Sequence, residues 1–282
     1  NYIGEPILLV VGPNKQVILD ILNQIIVEVQ PLEPILSIQQ AQAIQDNGSD
    51  QTKPYHVTYT YTKGNLDQAK ANAIYQVKDT CFTGYQEHAY LETHGMIARY
   101  EDQIITVWGS MQCPYYIVEA LKSALGWQQD RICVVQMATG GAFGGKEDFP
   151  SIPGVHAALA AIKTNQPVQL IYDRQEDIES STKRHPSMIT IESYLDKDHT
   201  IIGRDIEVAI DGGAYAGLSS VVLQRSIFSV AGVYNIENLQ IKGTAYITNQ
   251  VVSGAFRGFG GPQAFFAIEV HMDHIAKEIN ED

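Results

Sequence analysis

The stretch Gly140–Glu147 reads Gly-Gly-Ala-Phe-Gly-Gly-Lys-Glu, and a second, Ala255–Gln263, reads Ala-Phe-Arg-Gly-Phe-Gly-Gly-Pro-Gln. Glycine clusters let the backbone approach a ligand closely and aim its N–H groups at it. Four glycines around the single Phe143 exceed what a tight turn needs. Each stretch also carries charge: Lys146 and Glu147 in the first, Arg257 in the second, beside Phe256 and Phe259. Two such loops, far apart in the chain, suggest one cofactor gripped from two sides.

Working outward, Ile132–Met137 reads as a buried strand leading into the first loop. An Ala-rich helix, Gly154–Lys163, follows the loop, starting near Pro153. Ile104–Trp108 and Val168–Tyr172 read as strands. Pro114–Leu125 reads as a helix with proline in its first turn and Gly126 at its end. His56–Lys63 alternates as a half-exposed strand. Met188–Leu195 and Ile201–Ile210 flank the turn Asp196–Asp198 and predict a hairpin. Leu239–Thr248 is a strand feeding the second loop, and Pro262–Asn280 has a helical pattern. The first 45 residues read as strand Ile7–Val11, a helix from Pro13, strand Ile25–Gln30 and a short helix. The polar run Ala43–Pro54, with its Asn-Gly, is the linker. Irregular alternation of strands and helices predicts an α+β fold rather than a doubly wound sheet. A start without Met and an end inside a helical pattern predict a piece of a longer polypeptide.

With 282 residues, 45% of them hydrophobic and 18% charged, the chain can bury one large core or two smaller ones. A formal net charge of −13 disfavours a nucleic-acid surface and favours a soluble, cytoplasmic protein. Cys81, Cys113 and Cys133 show no C-x-x-C spacing, which argues against a disulfide framework and against an iron–sulfur cluster held by this chain. No signal peptide and no apolar run of bilayer length is present, so no membrane partner is expected.

Gly140 to Lys146 matches most of a phosphate-binding P-loop. However, Glu147 stands where Ser or Thr must hold Mg²⁺, and its carboxylate would repel a triphosphate. Asp148, Pro150 and Pro153 also interrupt the helix such a loop must open. In the second loop, Arg257 can offer a fixed fork of donors and Phe259 a flat face for stacking. Core packing of Phe256 and Phe259, with Arg257 on a surface carboxylate, is the alternative. Gln112 follows a strand and precedes a helix, as a site residue or a helix-entry cap. Arg225 lies in an apolar stretch, as a paired core charge or a substrate ligand. Glu87, His88, Glu92 and His94 cluster in sequence, but the histidines are badly spaced for one helix face and make a poor metal motif.

GYQEHAYLETH (84–94), WGSMQCPYY (108–116), GGAFGGKED (140–148), YDRQEDIESSTKRHP (172–186), LQRSIF (223–228) and AFRGFGGPQ (255–263) occur in one order. In this the chain resembles the molybdenum-binding large subunit of the xanthine dehydrogenase and aldehyde oxidase family, over nearly its whole length. The resemblance implies that residues 53–282 are the first molybdopterin-binding domain. Residues 1–45 would be the tail of an α/β hammerhead domain. It implies that Gln112 bonds the molybdenum's apical oxygen and that Gly141, Phe143 and Gly144 bring backbone amides to the metal centre. Arg257 would lie beside the cofactor and Phe259 would stack on substrate. Glu147 and Arg225 match the polar pair that holds the purine in xanthine-oxidising members, where aldehyde oxidases carry apolar residues. The TGGAFGGKED form is also similar to bacterial selenium-dependent xanthine dehydrogenases. The implied activity is hydroxylation of a purine such as xanthine or hypoxanthine, with oxygen from water and hydride passing to the molybdenum centre. Other N-heterocycles, an aldehyde, or a non-catalytic module are the alternatives. The implied cofactor is molybdenum–molybdopterin, plain or as the cytosine dinucleotide, with 2Fe–2S clusters and FAD on other domains or subunits. The family's general-base Glu and the rest of the pterin site belong to a further domain. The fragment alone is therefore expected to hold no cofactor and to be inactive.

Overall fold

In chain order the elements are α1 (Lys15–Leu22), α2 (Ile38–Asp46), β1 (Tyr55–Lys63), α3 (Leu66–Asn72), β2 (Tyr75–Thr83), β3 (Gly95–Glu101), β4 (Ile104–Gly109), α4 (Pro114–Leu125), β5 (Ile132–Gln136), α5 (Ser151–Thr164), β6 (Val168–Ile171), α6 (Arg174–Ser180), β7 (Ser187–Leu195), β8 (Ile201–Asp211), α7 (Ser219–Val230), β9 (Asn238–Tyr246) and α8 (Gly261–Glu278). The computed structural model describes residues 1–46 and 53–281. They divide into two compact units, Asn1–Pro34 with His88–Thr182, and Ile35–Glu87 with Lys183–Asp282. The architecture is mixed α+β, as the irregular alternation predicts.

The first unit holds a four-stranded sheet in the order β5-β4-β3-β6. β3 and β4 pair antiparallel around Asp102 and Gln103, both at positive φ, as a two-residue hairpin turn requires. β4 and β5 pair in parallel, so the chain must cross over between them, and α4 makes that crossing. Pro114 opens α4, and Gly126 closes it in the left-handed conformation. Along β3, Met96 and Ala98 are buried while Ile97 and Arg99 face out, and α4 and α5 cover the buried face. β5 is a strand, but only Ile132 in it is buried, because it forms an edge of the sheet.

The second unit holds a five-stranded sheet in the order β1-β9-β8-β7-β2. β7 and β8 form the predicted antiparallel hairpin. β8 and β9 are parallel, joined through α7. Ile189, Ile191, Ile206, Val208 and Ile241 from the sheet pack with Val222, Leu223 and Ile227 of α7 and Ala264, Ala267 and Ile268 of α8. The second glycine loop is the entry to α8.

Several sequence expectations need correction. Ile7–Val11 and Ile25–Gln30 are not strands: they run irregularly on either side of α1, with Ile7 70% and Ile26 87% exposed. β-Branched residues form strands only where a neighbouring strand is present to pair with. α5 starts at Ser151, before Pro153, because a proline in the first turn lacks only an N–H that would be unpaired there anyway. Of the linker Ala43–Pro54, residues 43–46 continue α2, and 47–52 lie outside the described residues.

Candidate cofactor-facing site

The first loop folds back on itself. The Gly145 N–H donates to the Ala142 carbonyl at 2.8 Å, and the Glu147 N–H to the Gly144 carbonyl at 3.2 Å. Gly144 has φ 101° and Phe143 φ 53°. A bulky residue in the left-handed region is uncommon, and such outliers gather at ligand sites. Phe143 is 49% exposed. No described residue accepts a hydrogen bond from the N–H groups of Gly141, Ala142 or Phe143.

Gln112 is tied to this loop twice. Its backbone N–H donates to the Lys146 carbonyl at 2.7 Å, and its side-chain oxygen accepts from the Gly144 N–H at 2.9 Å. The Gly144 amide is therefore already used, which narrows the expected amide set to its neighbours. The same bond holds the Gln112 carboxamide by its oxygen and leaves the NH₂ of this exposed residue as a donor with no acceptor among the described residues. A donor set of this kind suits an oxygen-rich or anionic group, so the residues present fit a cofactor of molybdopterin type.

Glu147 follows on the same loop, half-buried. Burial, and then the neighbouring Asp148, hold its carboxyl above the ordinary range. Burial raises Asp148 in the same way, and one of its carboxylate oxygens is enclosed without a hydrogen-bond partner among the described residues. Both carboxyls are thus pushed toward the neutral form, in which a carboxyl can donate as well as accept.

Lys146 decides the P-loop question. Its side chain is fully buried, donating to Glu92 Oε2 at 2.8 Å and Ser110 Oγ at 3.1 Å, 4.8 Å from the centre of the Tyr90 ring. A phosphate-binding lysine must project outward, and this one points inward to hold the loop down. Burial alone would raise Glu92, but hydrogen bonds from Lys146, Ser110 and the Gly140 N–H outweigh it and hold Glu92 below its ordinary value. The sequence cluster Glu87, His88, Glu92, His94 is likewise spent on pairing. Glu87 holds Lys183 at 2.9 Å, and His94 holds Asp177 at 3.1 Å. No group of three or more His, Cys, Asp or Glu among the described residues is arranged for a metal ion.

In the second unit, Arg225 lies on the outer side of α7 rather than in a core pair. Arg225, Val221, Gln224, Phe228, Gly258 and Phe259 line a cleft of about 520 Å³. Phe259 has φ 50°, with its N–H on the Phe256 carbonyl at 2.7 Å, and it packs partly on the α7–α8 core. Neither Arg225 nor the exposed Arg257 forms an ion pair with a described residue, so the alternative of a surface carboxylate for Arg257 finds no support. The loop is held from behind by Arg184. That residue donates to the Arg257 carbonyl at 3.0 Å and to Gln86 Oε1, and stacks 3.9 Å from the centre of the Phe256 ring. Sequence reading missed Arg184, His94, Asp177, Glu92 and Ser110 as supports of the loops. Only the motifs in which they stand could have pointed to them. Glu147 belongs to the first unit and Arg225 to the second.

One further constellation imitates a catalytic one. Ser193 Oγ is 2.8 Å from His271 Nε2, and His271 Nδ1 is 2.6 Å from Asp79 Oδ2, the order of a nucleophile triad. Ser193 and His271 are both fully buried, and Arg204 Nε donates to the same Oγ at 2.9 Å. No substrate carbonyl can reach the serine. The row instead links the buried Arg204 guanidinium to the Asp79 carboxylate.

Known proteins carry the same pattern. The family model for the molybdopterin cofactor-binding domain matches residues 49–282. A probable xanthine dehydrogenase subunit of Bacillus subtilis is 32% identical over 293 aligned residues, covering 100% of this chain and 38% of that protein. The nicotinate dehydrogenase large molybdopterin subunit of Eubacterium barkeri is 29% identical, covering 99% of this chain and 65% of that one. The chain therefore spans less than two thirds of the length of these relatives. Among solved structures, CO dehydrogenase from Oligotropha carboxidovorans superposes with a TM-score of 0.83 at 23% identity, over 95% of this chain and 36% of that one. Aldehyde oxidoreductase from Desulfovibrio gigas superposes with a TM-score of 0.80 at 24% identity, over 90% of this chain and 28% of that one. These two likenesses concern the fold. The family model, with the sequence relatives, shows that the chain belongs to the molybdopterin cofactor-binding domain family, in the xanthine dehydrogenase and aldehyde oxidase group of molybdenum enzymes.

Proposed function

We propose that the chain supplies one wall of the active site of a molybdenum hydroxylase that oxidises a purine such as xanthine or hypoxanthine. The observation that carries this reading is the cleft where the exposed Arg225 guanidinium, without an ion-pair partner among the described residues, stands with Phe259, a phenylalanine held on left-handed backbone. A flat, polar-edged heterocycle suits such a pair: the ring face stacks and the edge meets a fixed fork of donors. Glu147 would meet another edge of the same ring. Burial keeps its carboxyl toward the neutral form, where it can serve a ring nitrogen or a carbonyl.

The residues that would hold the cofactor are Gln112, through its NH₂, the N–H groups of Gly141 and Phe143, and Arg257 on the second loop. The Gly144 N–H would act indirectly, by fixing Gln112. When bound, a molybdopterin cofactor supplies the two-electron oxidation and draws its oxygen from water. The protein's part is orientation. Gln112 and the loop amides set the position of the donors, Phe259 sets the plane of the substrate, and Arg225 and Glu147 set its rotation in that plane and stabilise charge developing on the ring. 2Fe–2S and FAD modules on other domains or subunits would carry the electrons away, and the remaining molybdopterin domain would complete the site. Residues 1–45 would be the tail of a hammerhead domain. The exposed apolar segments flanking α1 support this, since they suit strands whose sheet lies elsewhere in the full protein.

The test uses the full-length enzyme. Arg225→Met and Glu147→Val should each lower kcat/KM for the purine by roughly ten- to a hundredfold, the effect of leaving a buried polar partner unpaired. A simple aromatic aldehyde, which needs only stacking, should suffer far less. Equal losses on both substrates, or no loss on the purine, would refute the assignment. Nicotinate belongs in the same assay. A relative is a nicotinate dehydrogenase, and an unpaired arginine also suits a carboxylate, so a selective Arg225→Met loss on nicotinate alone would move the substrate class there.

A further inference from the structure

We infer that His94 is the positioning residue of the first glycine loop, holding it from beneath through the Gly145 carbonyl. His94 is fully buried, at the entry to β3. Its Nε2 lies 3.2 Å from the Gly145 carbonyl oxygen, an atom that can only accept. Its Nδ1 lies 3.1 Å from Asp177 Oδ1 and 3.0 Å from the Tyr90 hydroxyl. That hydroxyl has one proton, and it is directed to Asp177 Oδ1 at 2.8 Å. Nε2 therefore donates upward to the loop, while Nδ1 is held sideways against Asp177 and the Tyr90 hydroxyl.

Asp177, on α6, is buried as well and accepts the His94 backbone N–H at 2.7 Å through its second oxygen. Burial would raise this carboxyl, but the bonds from the His94 ring, the His94 N–H and Tyr90 outweigh it and hold it well below its ordinary range. The histidine cannot rotate without stranding the carboxylate. Phe149 and Tyr172 pack around the ring at 4.8 and 6.2 Å. The far end of the contact is equally rigid. A Cβ on Gly145 would come within 2.8 Å of the His88 ring and of Tyr90 Cε1, so the loop backbone lies directly on these side chains. Gly145 follows Gly144, whose N–H holds Gln112. The position of Asp177 is thus transmitted through His94 to the carboxamide and amides that line the candidate site. Only this last consequence rests on the proposed cofactor role of the loop.

Amide hydrogen exchange on the full-length protein tests the inference. The probes are the hydrogen-bonded amides of Gln112, Gly144, Gly145 and Glu147, compared with the β3 ladder. His94→Leu keeps an apolar side chain among the aromatic rings and removes the donor toward Gly145 together with the contact to Asp177. It should speed exchange of the loop amides roughly tenfold or more, the effect of losing one buried hydrogen bond, while the β3 amides hold. His94→Gln, which restores a donor toward Gly145, should recover most of the protection. Asp177→Asn, a milder change that keeps the side-chain shape, should loosen the same amides and stands in if His94→Leu does not fold. The inference is overturned if the loop amides are unchanged in His94→Leu, or in Asp177→Asn where that stand-in is used. It is also overturned if β3 loosens equally, or if His94→Gln is as loose as His94→Leu. Molybdenum content is measured alongside. A loosened loop with undiminished molybdenum would keep the inference and count against the cofactor-facing reading of the loop.

Discussion

Replacing Glu92 should harm the first unit more than replacing its partner Lys146, although the two share one ion pair. The side chain of Lys146 is fully buried, while that of Glu92 is 42% exposed. In Glu92→Ala the ammonium stays buried with Ser110 Oγ as its remaining acceptor and the Tyr90 ring beside it. A buried charge robbed of its partner costs about 3–5 kcal/mol. In Lys146→Met the thioether fills the space of the lysine stem, and Glu92 relaxes into water. What is lost is the charge-assisted bonds and the cation–π contact, offset by the burial cost of an ammonium that is no longer there, for a net of about 1 kcal/mol. Both tryptophans of the chain, Trp108 and Trp127, lie in this unit, so urea unfolding followed by their fluorescence reports on it. With a slope of about 2 kcal/mol per molar urea, the midpoint should fall by roughly 2 M for Glu92→Ala and by about 0.5 M for Lys146→Met. Acid should remove the pair's contribution, because Glu92 is held below its ordinary value. Its stabilisation is complete above the normal carboxylate range and is lost as pH falls through the depressed one. Equal shifts, or a larger one for Lys146→Met, would refute the burial argument. A functional P-loop lysine would show the opposite pattern, with little effect on stability and loss of nucleotide binding.

Three further outcomes follow from the geometry. Gly260→Ala should destabilise the second unit by at least about 2 kcal/mol in thermal unfolding, since Gly260 has φ 89° and an added Cβ would meet the Val222 carbonyl oxygen at 2.5 Å. His185, bonded to Ser219 Oγ at 2.9 Å, is pushed down to about 3 by burial, with His56 and Arg184 adding to the effect. The unfolded chain takes up this proton first, so stability should drop as pH falls from about 6.5 toward about 3, and His185→Gln should flatten that slope. Ser193 should remain unlabelled by a fluorophosphonate in the native protein, and labelling would contradict its buried role.

Segments with both a periodic pattern and a clear terminus are legible in the sequence. Pro114 and Gly126 bracket α4, and the 188–195/201–210 hairpin follows from its alternation and turn. Ile7–Val11 and Ile25–Gln30 mislead because β propensity describes fit to a sheet, and no strand among the described residues pairs with them. α7 escapes notice although its stripe is present: Val222, Leu223, Ser226, Ile227 and Val230 recur at helical spacing, masked by serines and β-branched residues of weak helix propensity. β2 escapes because Lys78 and Asp79 interrupt its apolar alternation. The exposed parts of the site are legible through glycine, phenylalanine and arginine in unusual company. Its supports are not, because Lys146 meets Glu92 across 54 residues and His94 meets Asp177 across 83. A single sequence carries no information on which charged residue turns inward.

That inward turn is the feature the two loops share. Each presents a phenylalanine in the left-handed region, Phe143 or Phe259, a conformation that costs on the order of 1–3 kcal/mol and persists only where the surroundings over-determine it. Beneath the first loop lie the Lys146–Glu92 and His94–Asp177 pairs. Behind the second, Arg184 grips the Arg257 carbonyl and the Phe256 face. Apolar packing alone could fill the same space, but a methyl group cannot specify where a carbonyl oxygen points. A buried donor can, because rotating the peptide away leaves the donor without its acceptor. The charged residues beneath these loops therefore act mainly as fixed struts, while the groups proposed to meet ligands are backbone amides, Gln112, Glu147, Arg225 and Arg257. Substituting a strut should loosen the loop without removing any group that touches a ligand, whereas substituting Arg225 should alter substrate choice without loosening either loop.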